Sequence, residues 1–275
     1  MLAVFDIGNT NIVLGLYLGS ELKAHWRFRT ESKMTADELG HFILGLLERR
    51  GVLAVDIQDI CIASVVTELE FTFEQFCSSC FGRKPLWVPK DLKVNMPVLV
   101  DKPETLGADR LVTSYMAWQK YRCALVLIDM GTGTTLEAIS ADGAYLGGAI
   151  APGFEIAAEA LFNGASKLSR VPLVNPASVL GKNTEEQIQV GLVRGYAALI
   201  DGLTVQMQSE LENPSRVIAT GGLAPLMKQA SKKIEKVEPH LILEGLCLLY
   251  QEYQRGTRNS LVPNRFERTL GYQAA

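Results

Sequence analysis

Cysteine is scarce in this sequence, and its spacing argues against both a disulfide framework and a zinc site. The five cysteines among 275 residues are scattered. The one close pair, Cys77 and Cys80, lacks the second CxxC or the histidine pair that would complete a zinc site. We therefore expect reduced thiols, as in a cytoplasmic protein.

The sequence also lacks an excess of positive charge and a long hydrophobic run. Its formal net charge is −3 and its pI is about 5.7, so no basic stripe is available to release counterions from nucleic acid. Met1 leads directly into a strand-like run, without the basic region of a secretory signal or the length of a membrane span. We expect a cytoplasmic protein that binds small molecules, with neither nucleic acid nor a membrane as partner.

Apolar strands and amphipathic helices alternate along the chain in an order that occurs twice. The first half is predicted to have strands at 2–5, 12–17, 25–29, 60–66 and 86–88, and helices at 35–50 and 69–81. The second half is predicted to have strands at 124–129, 136–140, 145–150 and 216–220, and helices at 155–163 and 184–211. This repetition predicts an α/β fold with internal duplication and a cleft between the halves. We place the domains at 1–115 and 116–255, followed by a polar tail at 256–275.

Each half carries an aspartate at the end of its first strand, followed by a turn rich in glycine and side-chain hydroxyls. Asp6 precedes Gly8-Asn9-Thr10-Asn11, and Asp129 precedes Gly131-Thr132-Gly133-Thr134-Thr135. Such turns offer the inward backbone N–H groups, small side chains and hydroxyls that hold polyphosphate. The aspartates suit the cation that bridges the phosphates. Either turn alone is equally consistent with a plain hairpin, but the pair predicts phosphate binding.

Other nucleotide-binding motifs fail or are weaker. The run from Gly131 has Leu136 at the third glycine position of the dinucleotide fingerprint, and no G-x-x-x-x-G-K-[ST] occurs. A later pair, Gly221-Gly222, follows a strand and would let an adenine or ribose lie against bare backbone. Taken alone, that pair is more simply a helix-entry turn with Pro225 as an early helical residue.

Together these motifs resemble the type III pantothenate kinases of the acetate and sugar kinase/actin-like ATPase superfamily. The resemblance extends to about residue 255. Its motifs are Asp6-Ile7-Gly8-Asn9-Thr10, Gly107-Ala108-Asp109-Arg110, Asp129-Met130-Gly131-Thr132-Gly133-Thr134-Thr135, Gly147-Gly148-Ala149-Ile150-Ala151-Pro152-Gly153, Gly181-Lys182-Asn183-Thr184 and Thr220-Gly221-Gly222. The resemblance implies two duplicated ribonuclease H-like (actin-like ATPase) domains. It also implies transfer of the ATP γ-phosphate to the primary hydroxyl of pantothenate, giving 4′-phosphopantothenate, the first step of coenzyme A biosynthesis.

The resemblance further implies roles for individual residues. Asp109 would be the catalytic base, and Asp129 would bind a monovalent cation, K⁺ or NH4⁺. The implied ATP contacts are Asp6, Ile7, Gly8, Asn9, Thr10, Asn11, Ile12, Val13 and Thr132. The implied pantothenate contacts are Gly107, Ala108, Asp109, Arg110 and Thr184. Mg²⁺ with the nucleotide and a homodimer with the substrate site at its interface are implied as well.

Asp109 has a second interpretation, and two positions depart from the family pattern. A carboxylate there suits phosphoryl transfer, because it orients the hydroxyl and accepts its proton late. An aspartate is also a common N-cap, here for a helix beginning at Arg110. Val100 stands where a tyrosine typically lines the pantothenate pocket, and Leu136-Glu137 stands where Phe-Asp is common. These departures bear on substrate fit and leave the reaction class unchanged.

Two rival functions remain. One is another kinase of the superfamily that acts on a sugar or acetate, which would keep both phosphate loops but would not predict the motif at 107–110. The other is a nucleotide-binding regulator of the same fold without turnover. The presence of Asp6, Asp109 and Asp129 speaks against the regulator, which has no need of a base.

Overall fold

Two five-stranded sheets of the same topology organise the chain in a computed structural model that describes residues 1–165 and 167–261. The first sheet consists of β1 (Leu2–Ile7), β2 (Asn11–Leu18), β3 (Glu21–Arg29), β4 (Asp59–Ser64) and β5 (Leu86–Val88), in the order β3-β2-β1-β4-β5. The second consists of β6 (Ala124–Met130), β7 (Gly133–Ile139), β8 (Tyr145–Pro152), β9 (Ser215–Thr220) and β10 (Lys236–Val237), in the order β8-β7-β6-β9-β10. In each sheet three strands form an antiparallel meander, and two parallel strands extend it beside the first. The predicted duplicated α/β fold is confirmed.

Helices cover both sheets. They are α1 (Ala36–Glu48), α2 (Glu70–Phe81), α3 (Ala108–Tyr121), α4 (Phe154–Gly164), α5 (Thr184–Gln189), α6 (Gly195–Glu210), α7 (Ala224–Ala230) and α8 (Leu241–Leu261). The start of α1 is confirmed as a capping box, because the Thr35 hydroxyl accepts the Glu38 N–H and the Glu38 carboxylate accepts the Thr35 N–H. The helix predicted over 184–211 contains a π-helical turn, Val190–Arg194, between α5 and α6.

Three apolar cores follow from the alternation of side chains along β1 and β6. Phe5 and Ile7 pack with α1 and α2, while Leu2 and Val4 point to the opposite face of β1. That face, the Leu125 face of β6, and the helices α3 and α8 together form a central core between the sheets. The other face of β6 packs with α4 to α7. Because side chains alternate along a strand, Asp6 lies on the same face of β1 as Leu2 and Val4, and Asp129 lies on the same face of β6 as Leu125. Both aspartates are therefore on the side of the central core.

The positions of α8 and α3 differ from two of the sequence predictions. The predicted tail begins at 256, but α8 continues to Leu261; residues 262–275 and Ser166 lie outside the described residues. The predicted domain boundary at 115 falls inside α3, and α8 returns to pack on β1 and β4. The domain division stays a prediction.

One helical segment, Thr184–Glu210, is long and apolar enough to cross a membrane by length and composition alone. Its Ile188, Val193 and Ile200 side chains pack against the second sheet. Such burial is the usual property of a core helix in a globular domain.

Candidate active site

The two predicted phosphate loops meet across the cleft. The Thr132 hydroxyl donates a hydrogen bond of 2.7 Å to the Thr10 hydroxyl, and both side chains are exposed. In the first loop the Gly8 N–H bonds the Asn11 carbonyl at 3.1 Å. Thr30, just after β3, closes the loop with two hydrogen bonds. Its N–H donates to the Thr10 carbonyl at 2.9 Å, and its hydroxyl donates to the Gly8 carbonyl at 2.6 Å. Both turns are hairpin connections, as the plainer interpretation requires, yet they also face one another.

Glycines shape the second loop. The Gly131 N–H bonds the Gly133 carbonyl at 3.0 Å. A Cβ atom on Gly153 would clash with the Thr132 carbonyl, and one on Gly221 would lie 2.5 Å from the Met130 carbonyl oxygen. Gly221 also has φ of +91°, which an L side chain rarely adopts. This close backbone approach brings the Gly221-Gly222 pair beside the second phosphate loop.

Asp6, Asp109 and Asp129 form one electrostatic cluster in the cleft. Burial raises the pKa of Asp6 to about 8, with further contributions from Asp109 and Asp129. Burial also raises the pKa of Asp129 to about 6, with contributions from Asp109 and Glu137. Within residues 1–165 and 167–261, neither the Asp6 nor the Asp129 carboxylate accepts a hydrogen bond. A partly buried carboxylate without a donor is a suitable ligand for a bound cation.

Asp109 lies inside the first turn of α3, so its interpretation as the N-cap is wrong. The helix begins at Ala108 with Gly107 as N-cap, and the Asp109 Oδ1 atom accepts the N–H of Arg110 at 2.8 Å. A Cβ atom on Gly107 would lie 2.5 Å from that Oδ1, so glycine leaves room for the carboxylate. Burial raises the pKa of Asp109, while the Arg110 N–H opposes the shift. A raised pKa makes a carboxylate a stronger proton acceptor.

Arg110 is held by a buried acidic partner that sequence reasoning had not connected to it. Its Nε donates to Glu137 Oε1 at 2.7 Å, and its Nη2 donates to Glu137 Oε2 at 2.9 Å and to the Tyr145 hydroxyl at 2.8 Å. The Glu137 side chain is only 1% exposed. Two parallel bonds to one carboxylate restrict the guanidinium to a single orientation. Glu137, one of the two departures from the family pattern, therefore sets the position of a predicted pantothenate contact.

The other predicted contacts differ in how they face the cleft. Ile7 and Ile12 are buried in the core under α1 and α2, so only their backbone groups are available to a nucleotide. Ala108 is likewise buried, in the central core. Val100, the other departure, lies 3.9 Å from the Cβ position of Gly147, on the strand that carries Tyr145.

Thr184 is not joined to the Asp109 loop by any hydrogen bond in the described part of the chain. It begins α5, is exposed, and follows the N-cap Asn183, whose side chain accepts the Glu186 N–H at 2.9 Å. The structure therefore brings together the predicted residues of the two loops and of 107–110, and leaves Thr184 on the surface. The site roles themselves stay predictions.

The sequence model of the type III pantothenate kinases matches residues 2–206. This chain belongs to that family. A type III pantothenate kinase from Anaeromyxobacter dehalogenans is 47% identical over 251 residues, which cover 91% of this chain and 99% of that protein. The one from Geobacter sulfurreducens is 44% identical, with 91% and 98% covered. The resemblance inferred from the motifs is confirmed.

Comparison with solved structures of other proteins confirms the fold of this chain. A Baf family transcriptional activator from Campylobacter jejuni has a TM-score of 0.60 at 17% identity, with 92% of this chain and 99% of that chain covered. Component A of (R)-2-hydroxyglutaryl-CoA dehydratase from Acidaminococcus fermentans has a TM-score of 0.54 at 14% identity, with 93% and 98% covered. At such identities the likeness bears on the fold alone, which is the duplicated ribonuclease H-like fold of actin-like ATPases.

The raised pKa of Asp6 predicts a pH-dependent stability. A carboxyl group whose pKa rises from 3.8 to about 8 on folding binds its proton more tightly in the folded state. The free energy of unfolding of the ligand-free protein should therefore fall as the pH rises through this window. Asp6→Asn should raise that free energy by a few kcal/mol at pH 8 and by less at pH 5, since one pKa unit corresponds to about 1.4 kcal/mol.

Urea unfolding at the two pH values measures this difference. Asp142→Asn is the control, because Asp142 is an exposed aspartate in the turn between β7 and β8. Its substitution should change the free energy of unfolding little at either pH. A lower stability of Asp6→Asn at pH 8 would contradict the assignment, since it would mean that the folded state favours the charged carboxylate.

Proposed function

We propose that this chain transfers the γ-phosphoryl group of ATP to the primary hydroxyl of pantothenate, giving 4′-phosphopantothenate for coenzyme A biosynthesis. Family membership supports the activity and the two substrates. The observation that carries the geometry is the 2.7 Å hydrogen bond between Thr132 and Thr10, since it puts both phosphate loops at one place beside three carboxylates. A regulator without turnover is not favoured, because the curated relatives are kinases across nearly the whole chain.

The first loop and Thr132 are proposed to hold ATP. Gly8, Asn9, Thr10 and Asn11 would offer backbone N–H groups and polar side chains to the phosphates, while Ile7 and Ile12 offer backbone only. The exposed hydroxyls of Thr10 and Thr132 bond each other and can rotate toward phosphate oxygens. Mg²⁺ bound with the nucleotide neutralises charge that develops on the phosphates.

Asp109 is proposed as the base. The hydroxyl oxygen of pantothenate bonds to the γ-phosphorus as the bond to the ADP oxygen breaks, and the hydroxyl proton passes to the Asp109 carboxylate. Only Oδ1 accepts a hydrogen bond in the described residues, which leaves Oδ2 for the substrate hydroxyl. The start of α3 also keeps the carboxylate near a partial positive charge.

Gly107, Ala108 and Arg110 are proposed to hold pantothenate beside this base. Arg110 Nη1 donates no hydrogen bond within the described residues, whereas Nε and Nη2 are engaged by Glu137. A guanidinium fixed in this way presents its remaining donors to an anionic acceptor such as the pantothenate carboxylate. Glu137 thus acts through Arg110 as a positioning residue.

A monovalent cation, K⁺ or NH4⁺, is proposed to bind at Asp129. No group of three or more His, Cys, Asp or Glu side chains suited to a metal occurs in the described ranges. The cation would therefore take its other oxygen ligands from backbone carbonyls, phosphates and water. The bare carboxylate of Asp129, beside the second loop, fits that role.

A homodimer that completes the pantothenate site is also proposed. The edge strand β8 and helix α4 expose several large apolar side chains: Leu146, Ile150, Ile156 and Leu161. Large apolar side chains that remain exposed on the single chain are candidates for burial in an interface. Thr184 lies on the surface of the same half, where a second copy would bring it to the 107–110 loop of its partner. The cytoplasm is the proposed location.

Asp109→Asn should fold and bind ATP but lose turnover by about 10²- to 10⁴-fold, the usual contribution of a general base. Coupled ADP release with pantothenate as acceptor measures turnover, and nucleotide binding is measured separately. The control is Asp101→Asn, an exposed aspartate in the preceding loop. Turnover of Asp109→Asn at the wild-type rate would exclude Asp109 as the base. Wild-type turnover on another alcohol alone would exclude pantothenate as the substrate.

Replacing K⁺ by Na⁺ should lower the rate of ADP release, because the oxygen ligands of a site sized for K⁺ lie too far apart for the smaller ion. Asp129→Asn should lower the rate in K⁺ and remove the difference between the two ions. Asp142→Asn should keep the response, since Asp142 is exposed in the turn between β7 and β8, at the opposite end of β7 from the second loop. Equal wild-type rates in K⁺, Na⁺ and a bulky organic cation would rule out a specific site.

Ile156→Asp should dissociate the dimer and abolish turnover, because it puts a charge in the proposed interface; Ile156 is 49% exposed and lies on α4, which packs on the face of the second sheet opposite to Asp129. Sedimentation velocity measures the assembly state at assay concentration. Val55→Asp is the control, since Val55 is 84% exposed in the other half. A monomeric wild-type protein with full activity would exclude the interfacial site.

A further inference from the structure

The strand register places an arginine in the same row as Asp6. Arg27 on β3 lies opposite Val13 on β2, and Val13 lies opposite Asp6 on β1. Side chains in one row of a sheet point to the same face, and adjacent strands lie about 4.8 Å apart. The Arg27 guanidinium and the Asp6 carboxylate therefore occupy the same face, toward the cleft. No nucleotide motif of the sequence includes Arg27.

The duplicated sheet has no cation at the equivalent position. There Asp129 lies opposite Thr135, and Thr135 lies opposite Ile150. The two rows match strand for strand, so Ile150 is the counterpart of Arg27. The two halves have diverged at this position, and only the half with the first loop carries a positive charge.

Arg27 reaches across the cleft to the second half. Its Nη1 atom lies 2.7 Å from the position that a Cβ atom of Gly222 would occupy. On the same face of β3, the His25 ring contacts the His240 ring with centroids 4.5 Å apart. Because Asp129 pairs with Thr220 on β9, Gly222 lies just beyond the level of Asp129, beside the second phosphate loop. An exposed guanidinium thus stands between the two phosphate loops.

A positive charge in the cleft would offset the negative charges of its carboxylates and of a bound nucleotide. Asp109 raises the pKa values of the buried Asp6 and Asp129, and a nucleotide triphosphate brings several more negative charges into the same space. Arg27 opposes part of the rise in the pKa values of Asp6 and Asp129, so its charge acts on both carboxylates. A guanidinium remains charged and presents donors in a fork that matches phosphate oxygens.

We propose that Arg27 binds the β- and γ-phosphates of ATP across the cleft, in the space bounded by Thr10, Thr132 and the bare backbone of Gly222. This inference rests on the proposed function only in taking ATP as the phosphoryl donor. Arg27 then turns from the backbone of Gly222 to the phosphates when ATP enters. It supplies a fixed positive charge where negative charge moves toward the leaving oxygen.

The test compares nucleotides that differ only in their phosphates. Calorimetric affinities for ATP with Mg²⁺ and for adenosine are measured on wild type, Arg27→Gln, Arg27→Lys and the control Lys23→Gln. Lys23 is a cation on the same strand, paired with Glu21 at the end away from Asp6. Arg27→Gln should weaken ATP binding by about 10- to 100-fold, the range of a charge-assisted hydrogen bond, and leave adenosine binding unchanged.

Measurements of kcat/KM and of thermal stability distinguish phosphate binding by Arg27 from a purely structural contact between the two halves. Arg27→Gln should lower kcat/KM for ATP by about 10²- to 10³-fold, and Arg27→Lys should recover part of it, since lysine keeps the charge without the fork. The ligand-free Arg27→Gln variant should have a somewhat lower thermal midpoint at neutral pH, because the Asp6 and Asp129 carboxylates lose a nearby positive charge, while its affinity for adenosine should stay that of wild type. Lys23→Gln should leave both affinities unchanged.

Two results would overturn the proposal. One is an Arg27→Gln variant that binds ATP as tightly as wild type. The other is an equal loss of adenosine and ATP affinity, which would assign Arg27 to the shape of the cleft. An Arg27-dependent ATP affinity in a protein that fails to phosphorylate pantothenate would reject the proposed function and leave this inference intact.

Discussion

The burial of three neighbouring carboxylates in one cleft is the constraint on which the rest of this structure depends. Asp6 and Asp129 stand at the ends of equivalent strands, and Asp109 stands at the start of the helix between the sheets. Burial and like charge raise all three pKa values in the ligand-free protein. Such a cluster is unfavourable until cations enter it. A site of this kind is suited to a ligand that arrives with its own cations, as a nucleotide triphosphate does.

Duplication explains how the cluster forms, and divergence explains its asymmetry. The same strand order in both halves points two aspartates at the central core, where α3 and α8 pack. The halves then differ in what accompanies each aspartate. Arg27 occupies a row that in the second sheet ends in the exposed Ile150, so the edge strand carries a positive charge in one half and an apolar side chain in the other.

Close backbone packing and buried ion pairing hold the site in place. Gly153 and Gly221 let strand ends approach the second loop more closely than any side chain would permit. The buried Glu137 fixes Arg110 through two hydrogen bonds, and Tyr145 adds a third contact. Removing one partner of such a pair would leave the other charge buried and unpaired, which is costly. Glu137, which departs from the family pattern, is therefore part of the buried ion pair that holds Arg110 in place.

The sequence by itself determined most of the strands and helices, the duplication and the family, because periodic apolar runs and Asp-Gly-Thr turns are local properties of the chain; it did not predict α8 or β10. It also placed Asp109 near a helix start, but not which residue caps that helix. Only the tertiary structure decided that the loops meet through Thr10 and Thr132, that Glu137 holds Arg110, and that Arg27 lies in the same strand row as Asp6. Each of these pairs joins residues from separate strands, helices or loops. Their contact depends on strand register and on how the two sheets pack, which no local pattern encodes.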